Sequence, residues 1–219
     1  MNAVIYLYKR LVHAQARRGF FCYNRFMKSR TILLIDGENF LHKVKEVLKE
    51  AKVGDKRANL SRININSLLE KSLEEFSISR KLFYAAKLHF NPETEAKSKE
   101  LILQQRYLKT QLTKHKFKFI IGGNVRSQKV GNKVIFREKG VDVKIAVDMV
   151  SFAVDKEAQT IILCSSDSDL QPAVQEAKRR GIKVVYLGFG RNPNKGLTYT
   201  TDKTILFRDL EVLEACGLK

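Results

Sequence analysis

The chain has 219 residues, 44% of them hydrophobic, which is enough to bury the core of an ordinary globular domain. Its formal charge of +18 at pH 7 indicates a polyanionic partner and favours nucleic acid over a membrane surface. No apolar run reaches the roughly 18–20 residues of a membrane-spanning helix, so we expect no membrane insertion. The three cysteines are far apart and form no CxxC pair, which favours a reducing, cytoplasmic compartment over a disulfide framework or a zinc site.

Residues 1–29 form a basic N-terminal extension that we expect to be disordered or to lie outside the fold. The segment has no acidic residue, and its apolar residues are scattered rather than gathered into a signal-peptide core. An Arg-rich leader of this kind is typical of a transit peptide or of a basic nucleic-acid-binding arm. Met27 is a second candidate start, and the chain stays strongly basic without the residues before it. We therefore expect one domain over 30–219.

Two apolar segments that run into aspartates predict buried parallel strands. Thr31–Asp36 (TILLID) is followed by a glycine turn and a helical pattern, and Ile161–Cys164 (IILC) is followed by a Ser/Asp-rich turn and another helical pattern. Because the carboxyl ends of parallel strands meet at one edge of a sheet, we expect Asp36 and Asp167 to lie at the same edge.

The remaining patterns alternate between strands and helices, which predicts βαβ units around one mainly parallel sheet. Helices are predicted over Phe40–Ala51, Asn66–Phe76, Glu93–Thr113, Gly140–Asp155, Asp169–Arg180 and Leu206–Cys216, and further strands over Arg80–Leu88, Phe117–Ile121, Lys133–Phe136 and Ile182–Leu187. The segment Gly140–Asp155 is apolar on nearly all sides, so we expect this helix to be buried against the sheet.

A basic insertion follows the strand that begins at Phe117. Its Gly- and Asn-rich turns predict a β-ribbon or loop, and its basic residues are opposed by a single acid, Glu138. Basic side chains interleaved with phenylalanine can follow a phosphate backbone and stack on bases, although a solvated hairpin has the same pattern. The candidate nucleic-acid-binding residues are Arg126, Lys129, Lys133, Arg137, Lys139 and Lys144.

Four carboxylates are predicted to converge at the carboxyl edge of the sheet: Asp36, Asp142, Asp167 and Asp169. Such a group makes a hard, oxygen-rich site suited to Mg²⁺ or Mn²⁺, although each residue taken alone could be a turn residue or a helix cap. Asn39 lies near a helix start and can offer both a donor and an acceptor.

Asp148 is expected to have a different role. It lies about 240° around the helix from Asp142, so the two aspartates do not share a face. A charge in the middle of a buried helix needs a partner, which favours a structural ion pair.

Other catalytic patterns are missing from the sequence. No GxxxxGK[ST] loop supports nucleotide hydrolysis, and the four histidines are scattered rather than grouped with cysteines. Metal ions held by aspartates can orient water for in-line attack on phosphorus. In a chain this basic, the expected substrate is a phosphodiester backbone.

Three segments resemble the NYN domain, specifically the LabA-like branch of the PIN-like nucleases, over roughly Thr31–Leu213. They are ILLIDGENF (Ile32–Phe40), KGVDVKIAVD (Lys139–Asp148) and ILCSSDSDLQPAVQEAKRRGIKVV (Ile162–Val185). The resemblance implies a PIN-like three-layer α/β/α sandwich around a mainly parallel sheet. It also implies a divalent-metal site and action on RNA, either single-stranded or structured.

Site roles follow from the same resemblance by position. Asp36, Asp142 and Asp167 would be metal ligands, Asp169 a fourth acid, and Asn39 a polar group that orients water or phosphate. Asp148 also matches an acidic position of the family. The chain departs from the family pattern at Ser166, where glycine is usual, and at Leu170, where phenylalanine is usual. Both departures leave the acids in place but can alter the turn that carries Asp167.

These observations predict a metal-dependent endoribonuclease and leave two alternatives. A non-catalytic RNA-binding regulatory module could retain the same acids. A Toprim-like metal–phosphate enzyme could use Asp167 and Asp169 as a DxD pair with Glu38, but it would give Asn39 no role. A haloacid-dehalogenase phosphatase needs aspartate at position 38 and is set aside. The sequence is compatible with a homo-oligomer and does not select an oligomeric state.

Overall fold

The computed structural model describes residues 30–53, 63–130 and 133–218. Its strands are β1 (Thr31–Asp36), β2 (Ile78–Lys87), β3 (Phe117–Val130), β4 (Lys133–Lys139), β5 (Thr160–Cys164), β6 (Lys183–Phe189) and β7 (Lys203–Phe207). Its α-helices are α1 (Gly37–Glu50), α2 (Ile65–Ser72), α3 (Glu95–Lys114), α4 (Val141–Val154), α5 (Gln171–Arg179), α6 (Lys195–Thr200) and α7 (Asp209–Ala215). The predicted extension at 1–29 lies outside the described residues.

One seven-stranded sheet has the order β4-β3-β2-β1-β5-β6-β7. All neighbouring strands are parallel except β3 and β4. The six residues of β1 are all buried, as expected for a central strand covered on both faces. In the pairing register Asp36 lies opposite Tyr84 of β2, and Ile35 lies opposite Cys164 of β5.

Helices cover both faces of the sheet and give the predicted three layers. Leu33 and Ile35 belong to a core packed by α1, α2, α3 and α7, while Ile32 and Leu34 belong to a second core packed by α4, α5 and α6. The alternation within β1 therefore divides its side chains between the two cores. This arrangement confirms the predicted α/β/α sandwich around a mainly parallel sheet. None of the helices within the described residues is long and apolar enough to cross a membrane.

Helix α4 packs against the sheet as expected, but only one of its faces is covered. Its buried residues are Val141, Ile145, Met149 and Ala153, which lie on one side of the helix. Val143 and Val147, on the other side, are 60% and 53% exposed. The helix lies on the outer layer, so the sheet can cover only one of its faces however apolar the other is.

Several element boundaries also differ from the sequence prediction. The helix α1 begins at Gly37 rather than Phe40, because Asp36 caps it by accepting a hydrogen bond from the Asn39 backbone N–H. The segment Ser168–Leu170 is a separate 3₁₀ turn before α5. The helix predicted from Leu206 is wrong at its start, since Lys203–Phe207 is strand β7 and α7 begins at Asp209.

The basic insertion forms a β-ribbon, which is one of the two structures expected for it. Strand β3 extends to Val130 and pairs antiparallel with β4. Gly123 permits a close approach here, because a Cβ atom at this position would lie 2.4 Å from the Lys139 carbonyl oxygen and 2.9 Å from the Val141 nitrogen. The candidate residues Arg126, Lys129, Lys133 and Arg137 belong to these strands, but their side chains lie outside the described part of the molecule.

Candidate active site

Asp36 is the most buried of the predicted site residues. It ends β1 and is 3% exposed. Asn39 Nδ2 donates to its Oδ2 at 2.6 Å, the Asn39 backbone N–H donates to its Oδ1 at 3.2 Å, and Ser165 Oγ donates to Oδ2 at 3.0 Å. Burial raises the pKa of Asp36, and these three hydrogen bonds offset only part of that rise. The carboxylate is held in one orientation at the edge of the sheet.

Four carboxyl groups interact around Glu138, and we call them the acidic cluster: Asp36, Glu38, Glu138 and Asp142. Glu138 comes from β4 and shares a hydrogen bond with Glu38. Burial, that hydrogen bond and the charges of Glu38, Asp36 and Asp142 raise the pKa of Glu138 to about 9. At neutral pH the hydrogen-bonded Glu38–Glu138 pair therefore retains a proton, because burial disfavours a second negative charge and the neighbouring acids repel it.

The turn after β5, Ser165–Asp169, contacts Asp36 through serine rather than aspartate; we call it the β5 turn. Ser165 Oγ donates to Asp36 and accepts from the Asp167 backbone N–H at 3.1 Å. Ser166 Oγ donates to Asn39 Oδ1 at 2.7 Å. The serine at position 166 therefore gives the turn a hydrogen bond that a glycine could not supply.

Asn39 connects the acidic cluster with the β5 turn. Its Nδ2 donates to Asp36 and its Oδ1 accepts from Ser166, so its amide orients protein groups on both sides. Asn194, in the loop before α6, adds a second brace: its Nδ2 donates to the Ser166 carbonyl oxygen at 2.9 Å. The β5 turn is thus fixed from two directions.

Asp167 and Asp169 lie at the outer end of this turn. Asp167 Oδ1 accepts from the Asp169 backbone N–H at 2.9 Å and caps the 3₁₀ turn that follows. Asp167 is partly buried, whereas Asp169 is exposed. The carboxylate of Asp167 therefore has a capping role, and that of Asp169 faces solvent.

Asp148 forms the structural ion pair that its position predicts. Lys144 Nζ lies 2.6 Å from its Oδ1, and the Tyr84 hydroxyl donates to its Oδ2 at 2.9 Å. Lys144 was a candidate for nucleic-acid binding, and its charge is already paired with Asp148 although its side chain is 40% exposed. Lys139, another candidate, is exposed at the end of β4.

The acids meet the chemical requirement for a divalent cation but are not arranged as ligands. Carboxylate oxygens are the ligands that Mg²⁺ and Mn²⁺ prefer. Within residues 30–53, 63–130 and 133–218, however, no group of three or more His, Cys, Asp or Glu side chains is placed to hold a metal ion. The structure brings Asp36 and Asp142 together with two glutamates, and it does not gather Asp167 and Asp169 into a common ligating group with them.

The sequence prediction missed the role of Glu138. It lies far along the chain from Asp36, and only the pairing of β4 with β3 brings it to this edge. The one signal in the sequence was that Glu138 is a single acid among many basic residues of the ribbon. A solvated basic hairpin would leave this acid fully ionised, whereas burial beside three other acids raises its pKa.

Comparisons with known proteins identify the family and agree with the fold. The family model described as the NYN domain matches residues 30–208. A protein of unknown function from Vibrio parahaemolyticus has a similar solved structure, with a TM-score of 0.55 and 21% sequence identity over 83% of this chain and 94% of that one. At this identity the likeness supports the fold alone. A search of curated proteins gives no match.

Proposed function

The chain belongs to the NYN domain family, a family of PIN-like nucleases, and on that premise we propose that it is a divalent-metal-dependent endoribonuclease of the LabA-like branch. The acidic cluster carries the proposal. Four carboxyl groups interact at the carboxyl edge of the sheet, and burial together with the charges of its neighbours raises the pKa of Glu138 to about 9. A cation is the usual means of stabilising such a group.

The proposed site uses this chain's own acids as ligands for Mg²⁺ or Mn²⁺. Asp36 and Asp142, with Glu38 and Glu138 beside them, would hold the ion, and Asp167 and Asp169 remain proposed ligands at the adjoining turn. A bound ion would supply an activated water and stabilise negative charge on the phosphate. Asn39 and Ser165 keep the Asp36 carboxylate oriented through their hydrogen bonds.

Binding of RNA is proposed to rely on the charge of the chain. The excess of basic residues attracts the phosphate backbone, and the β3–β4 ribbon runs beside the acidic cluster through Glu138. We propose that residues 30–219 form the catalytic unit. Cys164 and Cys216 are free thiols, which supports a cytoplasmic location for the reaction.

A cleavage assay tests the proposal. Purified full-length chain is incubated with end-labelled RNA in Mn²⁺ or Mg²⁺, beside Asp142→Asn and Asp155→Asn. The two changes are chemically identical and lie at opposite ends of α4, since Asp155 follows the last residue of the helix. We expect internal cleavage by the wild type and by Asp155→Asn, and its loss in Asp142→Asn. Cleavage that persists unchanged in Asp142→Asn would contradict the mechanism.

A non-catalytic RNA-binding regulatory module is the second candidate. The observation that favours it is that no three side chains within the described residues are arranged to ligate one metal ion. This candidate predicts RNA binding with no cleavage across Mg²⁺, Mn²⁺ and a range of RNA substrates. The same assay, with a binding measurement beside it, separates the two candidates.

A further inference from the structure

An apolar groove of about 410 Å³ lies beside the acidic cluster. It is bounded by α1, α3 and the ends of β2, β3 and β4. Phe119 is partly exposed at the groove, and its ring stacks on that of Phe83, which is 1% exposed, with centroids 5.7 Å apart and planes at 19°. Leu101 of α3 forms part of the opposite side. Small-molecule sites have volumes of about 300–1,000 Å³ and mainly apolar linings, so the groove has the size and character of a ligand site.

Polar groups are confined to a few positions of the lining. Gln105 Nε2 donates to the Ala86 carbonyl oxygen at 2.9 Å and is thus occupied in holding α3 against β2. Gln104 is exposed, and its Nε2 donates to Glu100, which leaves its amide oxygen as an acceptor for a ligand. Glu38 and Glu138 also belong to the lining, as do His42 and Lys45 of α1. The groove therefore opens directly onto the acidic cluster.

This position restricts the occupant. A phosphate group is disfavoured in the apolar interior of the groove, because its charge would lose hydration there. Lys45 and His42 of the lining can instead attract the phosphates that flank a bound base. A nucleobase is the uncharged, planar and aromatic part of a nucleic acid, and it can stack on aromatic rings while its edge forms hydrogen bonds with amide or carboxyl groups. The charge of +18 makes a nucleic acid the expected source of such a group.

We propose that this groove binds one unpaired nucleobase of the RNA strand, next to the phosphate that lies at the acidic cluster. The inference rests on the proposed function and specifies its substrate. A base can enter the groove only after it leaves its helical stack, so the enzyme selects single-stranded segments, loops or bulges over duplex RNA. The stacked base fixes which phosphate reaches the acids.

Two leucines of α3 provide a matched test. Leu101 lines the groove and is partly buried, whereas Leu103 is 62% exposed and does not line it. Leu101→Trp fills the groove, and Leu103→Trp adds the same side chain to the outer surface of the same helix. Binding is measured in EDTA, where no cleavage occurs, with a fluorescent RNA hexanucleotide and with the same sugar–phosphate backbone lacking all bases.

The expected result is a base-dependent loss of affinity. Stacking of one base contributes about 1–3 kcal/mol, so we expect wild type and Leu103→Trp to bind the intact RNA about tenfold more tightly than the base-free backbone. Leu101→Trp should bind both RNAs with similar, weak affinity. Equal binding of the two RNAs by the wild type, or an unchanged preference in Leu101→Trp, would overturn the proposal.

A second measurement does not depend on a variant that must fold. Methyl-labelled wild-type protein is titrated with adenosine 5′-monophosphate and with uridine 5′-monophosphate. Methyl signals of Leu101 and Leu108 should shift, while those of Val143 and Val147 on the far side of the sheet should not; shifts that miss the groove would contradict the inference. Both measurements are independent of cleavage. Base-dependent binding without cleavage in any metal would support the nucleobase groove and overturn the proposed nuclease activity. Cleavage without base-dependent binding would support the nuclease activity and overturn the nucleobase groove.

Discussion

The acidic cluster and the β5 turn both lie at the carboxyl edge of the sheet, and their carboxyl groups have different surroundings. In the acidic cluster, carboxyl groups from β1, α1, β4 and α4 face one another, and Glu138 keeps its proton up to a pH of about 9. In the β5 turn, the Asp167 carboxylate caps a 3₁₀ turn, while Ser165 and Ser166 supply the contacts to Asp36 and Asn39. The first region accumulates uncompensated charge, and the second satisfies its polar groups internally.

This difference separates the residues that we expect to act in catalysis from those that we expect to hold the site in position. Like charges held together in a fold cost stability, so such an arrangement indicates a site that binds a cation or a transition state. A turn with satisfied hydrogen bonds gives position and rigidity instead. On this basis Asp36 and Asp142 should dominate activity, and the residues of the β5 turn should contribute less.

The largest expected effect is the loss of cleavage in Asp36→Asn. The substitution removes the charge at the centre of the acidic cluster but keeps an acceptor oxygen for Asn39 and Ser165. Loss of one charge-stabilising group commonly costs about 10²–10³-fold in rate, and we expect a loss of that order in single-turnover cleavage. The new amide nitrogen faces a donor, because both oxygens of Asp36 accept hydrogen bonds, and this costs stability. Burial raises the pKa of Asp36, so removal of the buried charge offsets part of that cost and the variant should remain folded. A variant that unfolds, or one that cleaves at the wild-type rate, would contradict the comparison.

The β5 turn should show a graded and smaller response. Asp167→Asn retains the Oδ1 atom that caps the 3₁₀ turn but loses the charge, and Asp169→Asn changes a side chain exposed to solvent. We expect a decrease of about 10–100-fold in cleavage for Asp167→Asn and of less than about tenfold for Asp169→Asn. Rates measured side by side test the order, and a larger loss in Asp169→Asn would reverse the assigned roles.

Glu138→Gln should stabilise the protein in a pH-dependent way. The pKa of Glu138 is raised in the folded state, so the unfolded chain releases this proton first and stability falls as the pH rises from about 4.5 towards 9. Glutamine has no proton to release, so the variant does not lose stability in this way as the pH rises. In EDTA at pH 8 we expect the melting temperature to rise by about 2–4 °C, with little difference at pH 4.5. A variant less stable than wild type at pH 8 would show that Glu138 is not in a site of excess negative charge.

Ser166→Ala should have the smallest effect. It removes the hydrogen bond from Ser166 Oγ to Asn39 Oδ1 and leaves the brace from Asn194 to the Ser166 carbonyl oxygen in place. One such hydrogen bond contributes about 1 kcal/mol, so the free energy of unfolding should fall by about that amount in urea titrations. Cleavage should decrease only a few-fold, and an effect as large as that of Asp36→Asn would place the turn at the centre of the chemistry.

Local patterns in the sequence were sufficient for much of this arrangement. Strand β1 has the predicted bounds and β5 begins one residue before the predicted apolar run, because a short apolar run that ends in turn residues leaves little choice of structure. The placement of Asp36 at a strand end followed from the same pattern. The sequence predicted that Asp148 has a charged partner but did not identify the residue. Its two partners, Tyr84 and Lys144, come from different elements.

The remaining features depend on contacts between distant segments. Glu138 reaches the acidic cluster only through the pairing of β4 with β3, and local patterning carries no information about that approach. Val143 and Val147 are as apolar as the buried residues of α4, so composition alone could not tell the exposed face from the buried one. The end of strand β7 was predicted as helix, because its short apolar segment fits both the helical period of 3.6 residues and the strand period of two.

The central claim is that the acidic cluster binds the catalytic cation. Titration of the full-length chain with Mn²⁺, with free ion followed by electron paramagnetic resonance, tests it directly on wild type, Asp142→Asn and Asp155→Asn. We expect saturable binding to the wild type, at least about tenfold weaker binding to Asp142→Asn, and unchanged binding to Asp155→Asn. Equal Mn²⁺ affinity in all three proteins would contradict the account.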